Sequence, residues 1–85
     1  PEHERQMRNR AARRKNFMKQ EWYRSPKGNL VLRYKGRYIT AIQKNGSYGC
    51  VCDDNWTWRY KGRRIFDLTT LKLAAFDAFD LDDVD

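Results

Sequence analysis

Apolar and polar residues alternate through the middle of the chain with the period of two that a half-buried strand requires. Leu30, Leu32 and Tyr34 share one face, and Val31, Arg33 and Lys35 share the other. Lys35-Gly36 reads as a turn, and Tyr38 to Gln43 form a second strand, with Ile39 and Ala41 opposite Tyr38, Thr40 and Ile42. Asn45-Gly46 is the strongest hairpin signal, because both residues tolerate the positive φ of a type I′ turn. A third strand follows from Ser47 to Asp53. Beyond Asp53-Asp54-Asn55, the run from Trp56 to Tyr60 alternates large aromatics with Thr57 and Arg59, and Lys61-Gly62 turns the chain toward Ile65 and Phe66. The pattern predicts an antiparallel meander. At least two of Trp56, Trp58 and Tyr60 are expected on its core face, which leaves the basic residues on the opposite one.

The flanks read as helical. Residues 1–21 contain no Gly, are rich in good helix formers, and carry a thin stripe of Met7, Ala11, Met18 and Trp22 interrupted by Arg14. Phe17, Met18 and Trp22 are the residues through which this arm would pack on the rest. Ser25-Pro26-Lys27-Gly28-Asn29 is a turn cluster that ends it. At the other end a helix is predicted from about Thr70 to Asp80, capped by Asp67 or Thr69, with Leu71, Ala74, Ala75, Ala78 and Phe79 as its apolar face. The expected architecture is α+β: an N-terminal basic helix or arm, an antiparallel meander of three to five strands, and one C-terminal helix packed on the sheet. The arm covers 1–21, a single α+β domain 22–80, and an acidic tail 81–85.

One segment occurs twice. Arg33-Tyr34-Lys35-Gly36-Arg37 returns as Arg59-Tyr60-Lys61-Gly62-Arg63, each followed by an isoleucine, Ile39 and Ile65. Either one hairpin chemistry is used twice, or two basic turns sit together at one end of a sheet and straddle a phosphate backbone.

Charge changes the picture most. Of the 85 residues, 34% are charged, and the net charge is +7. Residues 1–64 hold 17 Lys/Arg against five Asp/Glu, a net +12, whereas 65–85 hold Lys72 against six Asp, a net −5. A basic body calls for a polyanionic partner, and an acidic tail tethered beside it can compete for the same surface. Twelve aromatics make up for sparse aliphatic bulk, since each ring removes roughly 150–250 Å² from water.

Candidate chemistry is narrow. Cys50 and Cys52 fall on one side of a strand; with His3 distant in the chain and zinc wanting four ligands, they read as buried reduced thiols. No nucleophile motif, phosphate-cradling loop or carboxylate pair set in apolar sequence supports catalysis, and no cofactor is expected. No apolar run is long enough to span a membrane, and no apolar segment follows the N-terminal charges as a secretory signal demands. The thiols fit a reducing compartment, so a cytoplasmic or nucleoid-associated location is expected.

Nucleic acid is therefore the expected partner, met largely through phosphates. The candidate contacts on the arm are Arg8, Arg10, Arg13, Arg14 and Lys15. Those on the sheet and its turns are Arg33, Lys35, Arg37, Lys44, Arg59, Lys61, Arg63 and Arg64. The alternative is a small regulator that docks on an acidic surface of a larger protein machine, such as a polymerase or nuclease. Gly46-Ser47-Tyr48, Phe66-Asp67 and Ala75-Phe76-Asp77 resemble the AP2-type and integrase N-terminal-type DNA-binding modules. That resemblance covers roughly residues 30–80 and implies a three-stranded antiparallel sheet on one helix, with the sheet laid in the major groove and DNA as the polyanion. Leu71 and Leu73 depart from the acidic or small residues of that pattern, and the arm has no counterpart in it.

Overall fold

The computed structural model describes residues 2–81, with side chains from residue 9 onward. Five strands form one antiparallel sheet in chain order: β1 (Tyr23–Arg24), β2 (Leu30–Tyr34), β3 (Arg37–Lys44), β4 (Ser47–Cys52) and β5 (Asn55–Thr57). β6 (Arg59–Tyr60) and β7 (Arg63–Arg64) form a separate hairpin. Helix α1 (Glu2–Met18) precedes the strands and α2 (Leu68–Ala78) follows them. The fold is α+β.

Two-residue turns set the register. Lys35-Gly36, Asn45-Gly46, Asp53-Asp54 and Lys61-Gly62 all have positive φ at both central residues, from 49° to 83°. This is the type I′ geometry whose twist matches that of the flanking strands. Asp53-Asp54 manages it without glycine, because a short polar side chain tolerates the left-handed region. The turn is thus tighter than the three residues Asp53-Asp54-Asn55 suggest, and Asn55 pairs directly with Cys52.

The predicted strand from Trp56 to Tyr60 is broken. Thr57 pairs with Cys50, then the chain leaves the sheet at Trp58, makes the β6–β7 hairpin, and returns at Ile65. There the Tyr48 N–H donates to the Ile65 carbonyl at 2.8 Å. The repeated segment is consequently one hairpin design used in two sheets, and the two basic turns do not share a sheet end. Two features repeat in both copies: Lys35 lies over the Tyr34 ring at 5.5 Å and Lys61 over Tyr60 at 5.3 Å, and Ile39 and Ile65 are both fully buried.

Both helices cover the same face of the sheet. Leu32, Tyr34, Ile39, Ala41, Cys50 and Cys52 meet Leu71, Ala74, Ala75, Phe76 and Phe79 of the C-terminal segment. Phe17 enters this core fully buried, edge-on to Tyr34 at 5.0 Å and tilted against Phe76 at 5.6 Å. Met18 and Trp22 pack beside it, as the arm's apolar residues predict. Because α1 gives α2 a second neighbour, the buried face of α2 widens to Phe76, while Ala78 at the helix end is exposed. α2 also starts and stops earlier than its pattern implied. Asp67 is the cap: one carboxylate oxygen accepts the Thr70 N–H at 2.9 Å and the other accepts its hydroxyl at 2.8 Å. Those bonds, the N–H first, hold the Asp67 carboxyl below its usual range. Leu81 is buried, so the core takes in the first residue of the expected acidic tail. Residues 82–85 lie outside the described part.

Candidate nucleic-acid interface

Alternation along the strands puts a second set of residues on the face away from the helices. The register runs Tyr23, Val31, Thr40, Val51, Trp56 across all five strands. One row further, Ile42 pairs with Gly49, and beyond it Lys44 pairs with Ser47. Arg33 and Tyr38 form the row on the other side, with the guanidinium 5.5 Å from the ring centre. No acidic residue occurs in any of these rows.

Trp58 is placed by Gly49. A Cβ on residue 49 would sit 2.4 Å from Trp58 Cε3 and 2.6 Å from Cζ3, so the indole occupies the space a side chain would need. The ring lies parallel to Trp56, with 3° between planes and 5.4 Å between centroids. Trp56 is 50% exposed and Trp58 39% exposed, which overturns the expectation that at least two of Trp56, Trp58 and Tyr60 face the core; only Tyr60 packs against it, half-buried. Two large rings held in contact at the surface are not needed to close this core.

Cations gather beside the pair. Lys44, Arg59 and Arg64 line one open groove of about 460 Å³ together with Trp58, Asn45 and Ser47. They come from three elements (the end of β3, β6 and β7), and it is the excursion at Trp58 that brings the last two alongside the first. Like charges drawn to one groove without an acid among its lining residues repel one another, and a bound anion relieves that repulsion. A neighbouring concavity is lined by Lys61, Arg63, Arg64 and the exposed Phe66 together with the acidic Asp67, so the cations around the hairpin are partly countered there.

Other sequence candidates go elsewhere. Arg37 is committed internally: it donates to the Phe79 carbonyl at 2.6 Å and to Asp53 at 3.3 Å. It thereby satisfies an orphan carbonyl and opposes the negative end of the α2 dipole. Arg10 pairs with Asp77 at 2.9 Å and lies 5.8 Å over Phe76, which fastens α1 to α2. Arg13, Arg14 and Lys15 are exposed along α1, and the Arg8 side chain lies outside the described part. Lys35 stays with its tyrosine at the β2–β3 turn.

The cysteines are buried free thiols, as their spacing predicts. Burial, and the neighbouring Cys52, push the Cys50 thiol up to about 12. Cys52 is raised as well, mainly by burial, with Arg37 opposing the shift. Among the described residues no group of three or more His, Cys, Asp or Glu is arranged to hold a metal ion, and no helix is long and apolar enough to cross a membrane. No protein family, characterised protein or solved structure matches the chain.

Proposed function

We propose that this is a small non-enzymatic protein that binds nucleic acid, largely through phosphates, on the basic groove formed by Lys44, Arg59 and Arg64, with the exposed cations of α1 as a second, separate basic patch. One observation carries the reading: three cations from separate elements converge on an acid-free groove beside surface tryptophans. The likeness to AP2-type and integrase N-terminal-type modules adds DNA as the preferred polyanion, and the two free thiols favour a reducing, cytoplasmic or nucleoid-associated site of action. Affinity for a random oligonucleotide over a salt series tests the proposal. If about six phosphates are neutralised, the log–log slope is about −5 on duplex and about −4 on single strands. Affinity that is flat in salt, or missing at low salt, rejects it.

A second reading has its own support in the exposed aromatics. Tyr23, Tyr38, Trp56, Trp58 and Phe66 are all exposed, and such rings also anchor protein interfaces. On this reading the protein is a regulator seated on an acidic surface of a larger machine. A stoichiometric protein partner that survives nuclease treatment, with no salt-sensitive oligonucleotide binding, selects it.

A further inference from the structure

The outer sheet face does more than present charge. Its central floor is Val31, Thr40 and Val51, all half-buried, with Tyr23 rising at one sheet edge and Trp56 at the other. At about 4.8 Å per strand step, the backbone positions that carry the two rings lie roughly 19 Å apart. Trp58 adds to the Trp56 end a second ring that is already stacked and held in position by the bare backbone at Gly49. The phosphate-seeking cations sit beside this ledge, not beneath it.

Resting on the nucleic-acid reading above, we infer that the ligand is a single-stranded segment, one of whose unpaired bases stacks on the Trp56–Trp58 ledge while Lys44, Arg59 and Arg64 hold the adjoining phosphates. A duplex covers the faces of its bases and offers only edges in its grooves. A parallel pair of exposed rings has its largest gain with a ligand whose flat faces are uncovered, and stacking of this kind accepts any base. The ledge is also ready before the ligand arrives. Trp58 rests against Gly49 and Trp56 while staying partly exposed, so the stacked pair is in place before a base meets it. Charge complementarity selects a polyanion, and the ledge then selects the unpaired form of it.

The test is a titration of the protein with a labelled thymine oligomer of about 12 nucleotides and with a duplex of equal length, at several salt concentrations. The single strand binds more tightly than the duplex, and its binding quenches tryptophan fluorescence. Trp58→Ala weakens single-strand binding by about 5- to 150-fold, leaves the salt slope unchanged, and has little effect on the duplex. Trp58→Phe, which keeps a stacking face, retains most of the affinity and guards against a folding defect in the alanine variant. Equal or tighter binding of the duplex, or Trp56→Ala and Trp58→Ala proteins that bind the single strand like the parent, overturns the inference and leaves the phosphate-directed reading standing. No binding of either oligonucleotide at low salt overturns both.

Discussion

Gly49→Ala isolates the ledge from every charge. Residue 49 lies in β4 with an ordinary backbone conformation, so alanine brings no backbone strain, and in the folded state it adds only a methyl. That methyl would lie 2.4 to 2.7 Å from three atoms of Trp58, where contact distances of about 3.5–4.0 Å are comfortable. The ring must retreat by about 1 Å or more. A fully confined ring would make this an overpacking defect of about 1–3 kcal/mol. Trp58 is partly exposed, so it can swing outward instead and lose its contact with Trp56, worth about 0.5–1.5 kcal/mol. Replacing a strand glycine returns about 0.5–1 kcal/mol through the unfolded chain. The net change in stability is therefore small, under about 1 kcal/mol. Urea unfolding should show a nearly unchanged midpoint, while near-ultraviolet circular dichroism loses the signal of two coupled indoles. Single-strand affinity should fall to the level of Trp58→Ala. A Gly49→Ala protein with the parent's indole spectrum, or with a displaced Trp58 and undiminished affinity, refutes the reasoning.

Three further outcomes follow from the packing. Phe17→Ala should cost about 3–5 kcal/mol in chemical denaturation, a large share of the roughly 4–13 kcal/mol available to a chain of 85 residues; a loss under about 1 kcal/mol would mean α1 is not part of the core. The Cys50 thiol has its folded pKa raised, so the stability it confers is complete below the ordinary value of 9.0 and is lost as pH climbs toward about 12. Thiol reagent should count two groups only after unfolding, and rapid labelling of the native protein would contradict the burial. Asp67 has the opposite sign: its contribution is present above the ordinary value of 3.8 and disappears as pH falls through the lower folded value. Parent and Asp67→Ala should differ in helix content at neutral pH and converge in acid, and a constant difference down to the lowest pH would deny the cap.

Much of the architecture was legible because the turns are chemically explicit. Lys-Gly and Asn-Gly pairs announce type I′ hairpins, and the Leu30-Leu32-Tyr34 and Ile39-Ala41 alternation then assigns the inner face. Treating Asp53-Asp54-Asn55 as a loose break removed the register between β4 and the aromatics. Taken as a two-residue turn, Asp53-Asp54 sets Val51 opposite Trp56, and because Cys50 and Cys52 point inward, Trp56 must point outward. Strand alternation then carries Trp58 outward as well. Gly49 in mid-strand was the other available signal, since a glycine there often marks close approach by another group. What no local pattern contains is the convergence of Lys44 with Arg59 and Arg64. It depends on the chain leaving the sheet at Trp58 and rejoining it at Ile65, a non-local pairing with Tyr48. Arg37 was equally opaque, because its partner is a helix-end carbonyl 42 residues away.

The salt dependence of single-strand affinity tests most directly whether Lys44, Arg59 and Arg64 form one phosphate-binding groove. The measurement compares the parent with a protein carrying Lys44→Ala, Arg59→Ala and Arg64→Ala together, after circular dichroism has shown that both are folded. Each phosphate contact on a single strand contributes about 0.7 to the log–log slope, so removing three should make the slope shallower by about two and weaken low-salt binding throughout. A triple variant with the parent's slope and affinity would contradict the account.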